Sequence, residues 1–164
     1  MGLDFKIKMC YSKYINVKGD IMDKGQIAVD NFKTGLNCAQ AVVLAFKDEL
    51  AIDELTLKKL SIAFGGGLGR QRLTCGAVSG MCMVLGTLLS DGADKLAIYD
   101  VVQKACADFK KEVGSIICAD LLDGNILKDH SPKPEERTEE YYKKRPCAEL
   151  CRLASEIAQK YLTK

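Results

Sequence analysis

The residues of this chain best suited to chemistry are its cysteines, eight in a chain of 164 residues. Four of them fall in the first turns of predicted helices, where free backbone N–H groups and the helix dipole stabilise an anion. A thiolate in such a position can have its pKa lowered from about 8.5 to roughly 3.5–7.5. Repeated placement at helix starts favours a shared reactive or metal-binding role over independent packing. The four are Cys38, Cys75, Cys118 and Cys147.

The other four cysteines carry weaker signals. Cys10 lies in the N-terminal arm, while Cys82 and Cys106 lie in the middle of predicted helices among apolar neighbours. Cysteine is often buried as a small apolar residue, so we interpret Cys82, Cys106 and Cys151, which is also in the middle of a predicted helix, as core packing. Cys151 follows Cys147 by four residues and shares its helix face, which makes it the best candidate for an auxiliary thiol.

The elements that must position these residues are predicted to be helices. Asn37 begins one of them, with Gln40 three residues later as its capping-box partner. Asp53 and Thr74 are predicted to cap two others, and Pro146 suits the first turn of the last helix. The predicted helices cover residues 21–33, 37–50, 53–64, 74–90, 94–113, 115–122 and the segment from 146 onward.

This pattern predicts an all-α fold, a compact multi-helix bundle in a single domain over residues 1–164. The segment of about 75–90 is apolar nearly all round, so we expect it to form a central buried helix. Residues 1–20 are predicted to form an N-terminal arm. Residues 123–145 are charged and contain two prolines, which indicates a solvated loop with a little helix.

Chain direction predicts that three of the cysteines converge. Short links make successive helices antiparallel, so alternate helices begin at the same end of a bundle. Cys38, Cys75 and Cys118 start such alternate helices and are therefore expected at one end. The long loop before Cys147 allows the last helix to start there too.

Two groups of glycines accompany the cysteines. Gly76 and Gly80 follow Cys75 with G-x-x-x-G spacing, which predicts close approach of a neighbouring backbone. The preceding loop is predicted to offer bare N–H groups to sulfur or another anion. It does not have the spacing of a nucleotide-binding loop. Arg70 and Arg72 follow it and could pair with an acidic ligand. The loop glycines are Gly65, Gly66, Gly67 and Gly69.

Composition limits the compartment and the partners. The net charge is +2 with both signs interspersed and there is no Trp, so we expect no nucleic acid as a partner. The most apolar stretch, about 75–89, is too short for a membrane span. The first residues lack the apolar run of a signal peptide, which predicts a cytoplasmic protein. Cysteines in a reducing compartment are thiols, metal ligands or redox groups more often than structural disulfides.

The cysteine-bearing segments resemble the C_GCAxxG_C_C family, which is named after its cysteine pattern and associated with redox activity. The matching segments are "NCAQAV" at Cys38, "FGGGLGR" followed by "CGAVSG" at Cys75, "GSIICADLL" at Cys118, and Cys147 in the closing helix. The resemblance covers residues 25 to 160. It implies a helical fold and a redox or metal role for the four signature cysteines. It implies no role for the other four.

Three functions are consistent with four converging cysteines. Four bare thiolates would repel one another, since two unit charges 4 Å apart cost about 4 kcal/mol at an effective dielectric of 20. They must be protonated, oxidised to disulfides or neutralised by metal. An iron–sulfur electron-transfer centre is favoured. The resemblance supports it, because some relatives in this family occur in redox proteins with iron–sulfur centres. A thiol–disulfide pair and a structural or trafficking zinc site are the alternatives, although no C-x-x-C is present.

The sequence leaves catalysis and assembly open. The only histidine, His130, lies in a predicted solvated loop, so a Ser/His/Asp hydrolase site is ranked last. The expected partner is another redox protein, and a homo-oligomer is left open. Whether the chain is an enzyme is not decided by these residues.

Overall fold

The chain folds into α-helices, as the sequence predicts. The computed structural model describes residues 23–122, 124 and 131–163, so the predicted arm over 1–20, Cys10 and His130 lie outside the described residues. A 3₁₀ turn, Ile62–Phe64, links two of the helices. The helices are α1 Lys24–Lys33, α2 Cys38–Ala45, α3 Lys47–Leu50, α4 Glu54–Ser61, α5 Gly65–Leu68, α6 Gly76–Leu89, α7 Lys95–Val113, α8 Glu139–Lys144 and α9 Cys147–Leu162.

The core lies where α1, α2, α6 and α9 pack together. Every residue of α2 is buried, Gln40 included, and the other seven residues of this short helix are apolar, as a helix covered on all sides requires. The last turn of helix α6 is partly exposed. Its buried residues lie in the first three turns and are Gly76, Ala77, Val78, Gly80, Met81, Val84 and Leu85. Helix α7 covers one side of α6 and α9, and α4 covers α2. No helix in the described part of the chain is long and apolar enough to cross a bilayer.

Three helix starts are formed as predicted. The Asn37 side chain accepts a hydrogen bond from the Gln40 backbone N–H at 3.0 Å, and Gln40 Oε1 accepts one from the Asn37 N–H at 3.1 Å. Asp53 and Asp94 cap α4 and α7, and each side chain accepts a hydrogen bond from the backbone N–H three residues later. The prediction for Thr74 is wrong, because Cys75 itself is the N-cap of α6 and makes no side-chain cap hydrogen bond.

The predicted helix over 115–122 does not form. Its backbone groups pair with the segment that precedes α6, and Thr74 and Ile117 form the β-bridge. The Cys118 N–H donates to the Leu73 carbonyl at 2.6 Å, and the Cys75 N–H donates to the Ile116 carbonyl at 2.8 Å. These non-local hydrogen bonds replace the local ones that a helix would need.

Two other boundaries differ from prediction. The helix expected over 37–50 is divided at Phe46, whose backbone leaves the helical region and whose side chain is fully buried. The segment 123–145 contains the short helix α8, as predicted, but it is not wholly solvated, because Arg145 is buried. On α9, Leu150 and Ile157 are buried, whereas Leu153 and Tyr161 are only partly buried.

Candidate functional site

The four signature cysteines line one cavity of about 240 Å³. They arrive from four separate segments: the start of α2, the N-cap of α6, the turn after α7 and the start of α9. The prediction that Cys38, Cys75 and Cys118 converge is therefore correct. Its reasoning was wrong for Cys118, which reaches the cavity through backbone pairing rather than at a helix start. The fourth cysteine, Cys147, lines the cavity as well.

Cys38 and Cys147 are each the first residue of a helix, and both line the cavity. The Asn37 capping box fixes the first turn of α2 and thereby the position of Cys38. A third thiol, Cys151, lies behind this pair and donates to the Cys38 carbonyl oxygen at 3.7 Å. Cys151 is fully buried and does not line the cavity, which fits an auxiliary position.

Cys75 and Cys118 are positioned by the paired segments 72–75 and 116–119. The Ala119 N–H donates to the Arg72 carbonyl at 3.0 Å, in addition to the two bonds given above. This short backbone ladder holds the two cysteines at neighbouring places on the cavity wall. Sequence periodicity could not reveal it, because each hydrogen bond joins residues more than forty positions apart.

The glycines of α6 and of α5, which was predicted as a loop and is a four-residue helix with non-helical backbone at Gly66 and Gly67, permit this close arrangement. Gly67 has φ of +66°, and a Cβ there would lie 2.7 Å from the Cβ of Cys118. A Cβ on Gly76 would lie 2.9 Å from the Phe64 carbonyl oxygen and 3.2 Å from the Cβ of Cys38. Both distances are below ordinary van der Waals contact, so a larger side chain would displace a cysteine-bearing segment.

The G-x-x-x-G prediction is also confirmed at its second glycine. A Cβ on Gly80 would lie 2.9 Å from the Ala39 carbonyl oxygen and 3.0 Å from the Cβ of Val42. The neighbouring backbone is therefore that of α2. Of the loop glycines predicted to bind an anion, Gly65, Gly66 and Gly69 line the cavity and Gly67 supports its wall. Their binding role stays a prediction.

A buried arginine faces the cysteines. Arg72 is 8% exposed and lines the cavity, and its Nε and Nη2 atoms have no hydrogen-bond partner within the described residues. Its backbone has φ of +62°, a conformation that non-glycine residues rarely adopt. A buried guanidinium with unused donors indicates a site for an anion. Arg70 instead donates to the Ser131 carbonyl oxygen at 2.8 Å and pairs with Glu135.

The segment before α9 supplies lining residues that the sequence analysis assigned to a solvated loop. Arg145 is buried, forms an ion pair with Glu135 and lies over the Tyr141 ring at 4.7 Å. Arg137 lies over the same ring at 4.5 Å, and its Nη1 atom is buried without a hydrogen-bond partner. The sequence contains a signal for this arrangement, because arginines often stack on aromatic rings and both residue types occur just before Cys147. They are Arg137, Tyr141, Tyr142 and Arg145.

Burial overrides the helix-start effect on these thiols. Burial raises the pKa of Cys75 to about 12, although hydrogen bonds from the Ala77 and Val78 backbone lower it. The hydrogen bond with Cys38 and burial both raise the pKa of Cys147. The Cys38 pKa is raised as well: the bond to Cys147 lowers it, but the bond to Cys151 and burial outweigh that effect. The expectation of lowered pKa values is therefore wrong for the metal-free site.

The pKa of Cys118 is also raised by burial, and here the opposing effect comes from Arg72. Burial raises its pKa, while the charge of Arg72 and a hydrogen bond from that guanidinium lower it without reversing the shift. All four thiols are therefore neutral near pH 7 when nothing is bound. A bound cation, rather than the helix starts, would have to hold them as thiolates.

The donor set fits some metals better than others. Four thiolates around a single zinc ion lie about 3.8 Å from one another, as a tetrahedron with Zn–S of about 2.3 Å requires. Within the described residues, no three Cys, His, Asp or Glu side chains are grouped closely enough to hold one ion. An iron–sulfur cluster distributes its cysteine ligands over several irons, so its ligands need not converge on one point.

The fold and site define an all-helical protein with a cysteine-lined cavity. Residues 36–161 match the family model described as "Putative redox-active protein (C_GCAxxG_C_C)". The chain belongs to the C_GCAxxG_C_C family, since the match covers most of its length. No curated protein and no solved structure gives a significant match.

Proposed function

We propose that this protein transfers electrons through an iron–sulfur cluster held in the cavity by Cys38, Cys75, Cys118 and Cys147. The observation that carries the proposal is the meeting of four cysteines from four segments around a cavity that also contains Arg72. Such a cluster, when bound, accepts and releases single electrons. The family's association with redox activity supports the same class of function.

The cationic side chains have a defined task in this proposal. Four thiolates and sulfide place excess negative charge in a buried space, which is costly unless it is compensated. Arg72 offers buried N–H donors that no described group uses. Arg145 adds a second buried positive charge, although Glu135 partly neutralises it. Charge compensation of this kind raises the reduction potential, because it stabilises the reduced, more negative state.

The glycines keep the site small. Because Gly67 and Gly76 allow backbone to approach Cys118 and Cys38, side chains are excluded from the cavity wall there. The aromatic ring of Tyr141 and the residues of the 131–145 segment line another part of the cavity. Limited solvent access and low local polarity are levers that tune an iron–sulfur centre.

A thiol–disulfide function is the second candidate, and one observation favours it. Cys38 and Cys147 line the same cavity and each thiol shifts the pKa of the other, so they are the pair best placed to form a disulfide there. Their raised pKa values argue against rapid exchange near pH 7, because the thiolate is the attacking species. The zinc alternative stays a prediction that the single-ion geometry does not favour.

The deciding experiment is purification without oxygen followed by visible absorption, iron and acid-labile sulfide analysis, with reconstitution by iron and sulfide. We expect visible absorption from sulfide-to-iron charge transfer and loss of bound iron in each Cys→Ser variant at positions 38, 75, 118 and 147. Cys151→Ser is the matched control, since this buried thiol does not line the cavity and should leave the iron content intact. Protein that binds no iron after reconstitution, but reversibly forms a Cys38–Cys147 disulfide, would overturn the cluster in favour of the second candidate.

A further inference from the structure

A second pair of cysteines lies outside the cavity, between α6 and α7. The Cys82 and Cys106 sulfur atoms are 3.9 Å apart, close enough for a hydrogen bond between thiols. Neither residue lines the cavity, and both are only partly buried. Both residues were predicted to serve core packing, but partial exposure and a facing thiol distinguish them from inert buried cysteines.

The position of this pair on the two helices matters. Cys82 lies seven residues after Cys75 on α6, about 10 Å along the helix axis at 1.5 Å per residue. Helix α7 contributes only Ala105 and Phe109 as fully buried residues, and Cys106 follows the first of these directly. A bond between the sulfurs would therefore fasten a sparsely buried helix to the one that carries Cys75.

We propose that Cys82 and Cys106 form a second redox site, a dithiol that small disulfides such as oxidised glutathione convert to an intramolecular disulfide. The sulfurs must approach each other by about 2 Å, which side-chain rotation can supply because they already face across one helix interface. This site is separate from the proposed cluster and does not depend on it.

The external disulfide oxidises Cys82 and Cys106 in two steps. The Cys106 thiolate attacks one sulfur of the external disulfide, forms a mixed disulfide and releases one thiolate. Cys82 then loses its proton to solvent, attacks the Cys106 sulfur and releases the second thiolate. Two protein thiols are oxidised to one disulfide and one external disulfide is reduced to two thiols, because the two protons that the protein thiols lose protonate the two released thiolates.

Cys106 is the better first nucleophile. The hydrogen bond from the Cys82 thiol lowers the pKa of Cys106 to about 7, while the same hydrogen bond and burial raise the pKa of Cys82. This difference supports an order in which Cys106 attacks and Cys82 resolves. It adds to the geometric argument, which rests on the 3.9 Å separation and the partial exposure.

The test is to treat reduced, iron-loaded or metal-free protein with a glutathione redox buffer, then to block thiols and map disulfides in tryptic peptides. We expect peptide 73–95 joined to peptide 105–110, with a mass two hydrogens lower than the sum of the separate peptides. Cys75 shares the first peptide with Cys82, so fragmentation between them must assign the linkage. Because the bond joins residues 24 positions apart, the oxidised protein should melt roughly 5–10 °C higher.

Two variants make the result decisive. Cys82→Ser should stop oxidation at a glutathione adduct on Cys106, and Cys106→Ser should leave Cys82 as a thiol in the same buffer. Cys151→Ser is the control and should form the linked peptides as the parent does. Linkage of Cys106 to Cys75, or stable glutathione adducts on both Cys82 and Cys106 without a bond between them, would overturn the proposal.

Discussion

Arg72 and Cys118 lie on two segments joined by backbone hydrogen bonds, and the Arg72 charge lowers the pKa of Cys118 against the effect of burial. The ladder places the cation next to the cysteine, while the buried Nε and Nη2 atoms remain without a described partner. The pair therefore combines one thiol ligand with its own compensating charge. It is the clearest sign that the cavity is arranged for an anionic group.

Replacing Arg72 by Met should make Cys118 harder to ionise. Because the Arg72 charge lowers the pKa of Cys118 against the effect of burial, its removal raises that pKa further. In metal-free protein near pH 8, we expect about tenfold slower alkylation of Cys118, measured by mass spectrometry. Arg72→Lys keeps the charge and should recover most of the rate. An unchanged rate in Arg72→Met would contradict the electrostatic pairing.

Gly76 and Gly86 on α6 offer a matched comparison. A Cβ on Gly76 would lie 2.9 Å from the Phe64 carbonyl oxygen, whereas a Cβ on Gly86 would meet nothing within 4 Å. Gly76→Ala should therefore destabilise the fold by about 1–3 kcal/mol through overpacking. Gly86→Ala should stabilise it by about 0.5–1 kcal/mol through reduced backbone entropy in the unfolded chain. Chemical denaturation of both variants gives the two free energies, and equal effects would refute the steric argument.

The helices were predictable from the sequence because their signals are local. Asn37, Asp53 and Asp94 lie at helix starts that three or four neighbouring residues determine. Cys118 was misplaced because its segment pairs with residues near Leu73, and no periodic pattern records such a distant partner. The N-cap preference of threonine also predicted a helix start at Thr74. In the structure Thr74 forms a β-bridge with Ile117, and the helix starts after Cys75.

The site was predictable in its residues but not in its electrostatics. Identity and spacing of the cysteines are enough to indicate a shared location. Burial is a property of the whole fold, and it determines whether a thiol such as Cys75 ionises. The contribution of Arg145 was missed for the same reason, since a charged segment is normally solvated and this side chain is buried against Tyr141.

The buried ion pair between Lys24 and Glu49 gives a prediction about stability. Lys24 Nζ lies 2.6 Å from Glu49 Oε1, and the two side chains are 1% and 2% exposed. Lys24→Met leaves a buried carboxylate without its cation, so the free energy of unfolding should fall by about 3–5 kcal/mol. The double variant Lys24→Met with Glu49→Leu removes both charges and should recover most of the loss.

An exposed ion pair of the same length is the control. Lys104 Nζ lies 2.6 Å from Asp100 Oδ2, with both side chains more than half exposed. Lys104→Met should leave the free energy of unfolding nearly unchanged, because solvent screens this pair. Urea denaturation of the variants is the measurement. A small effect of Lys24→Met, comparable with that of Lys104→Met, would show that the buried pair does not stabilise the fold.

Cys106 should react faster than Cys75, which is the opposite of the order that helix starts predict. The hydrogen bond from Cys82 lowers the pKa of Cys106 to about 7, whereas burial raises the pKa of Cys75 to about 12. Between pH 6 and 8 the thiolate fraction of Cys106 therefore rises steeply, while Cys75 stays almost entirely a thiol. In reduced, metal-free protein at pH 7, limiting iodoacetamide should label Cys106 at least tenfold faster than Cys75.

The pH dependence and one variant separate ionisation from access. Labelling of Cys106 should increase about tenfold between pH 6 and pH 8 and then level off, because its thiolate form becomes complete above its pKa. In Cys82→Ser the serine hydroxyl can still donate a hydrogen bond, so the midpoint should stay near neutral pH, whereas Cys82→Ala should move it upward. Peptide mass spectrometry after timed quenching gives each rate. Cys75 labelled before Cys106 would show that the helix start outweighs burial, and the reasoning from buried thiols would then fail for the whole cavity.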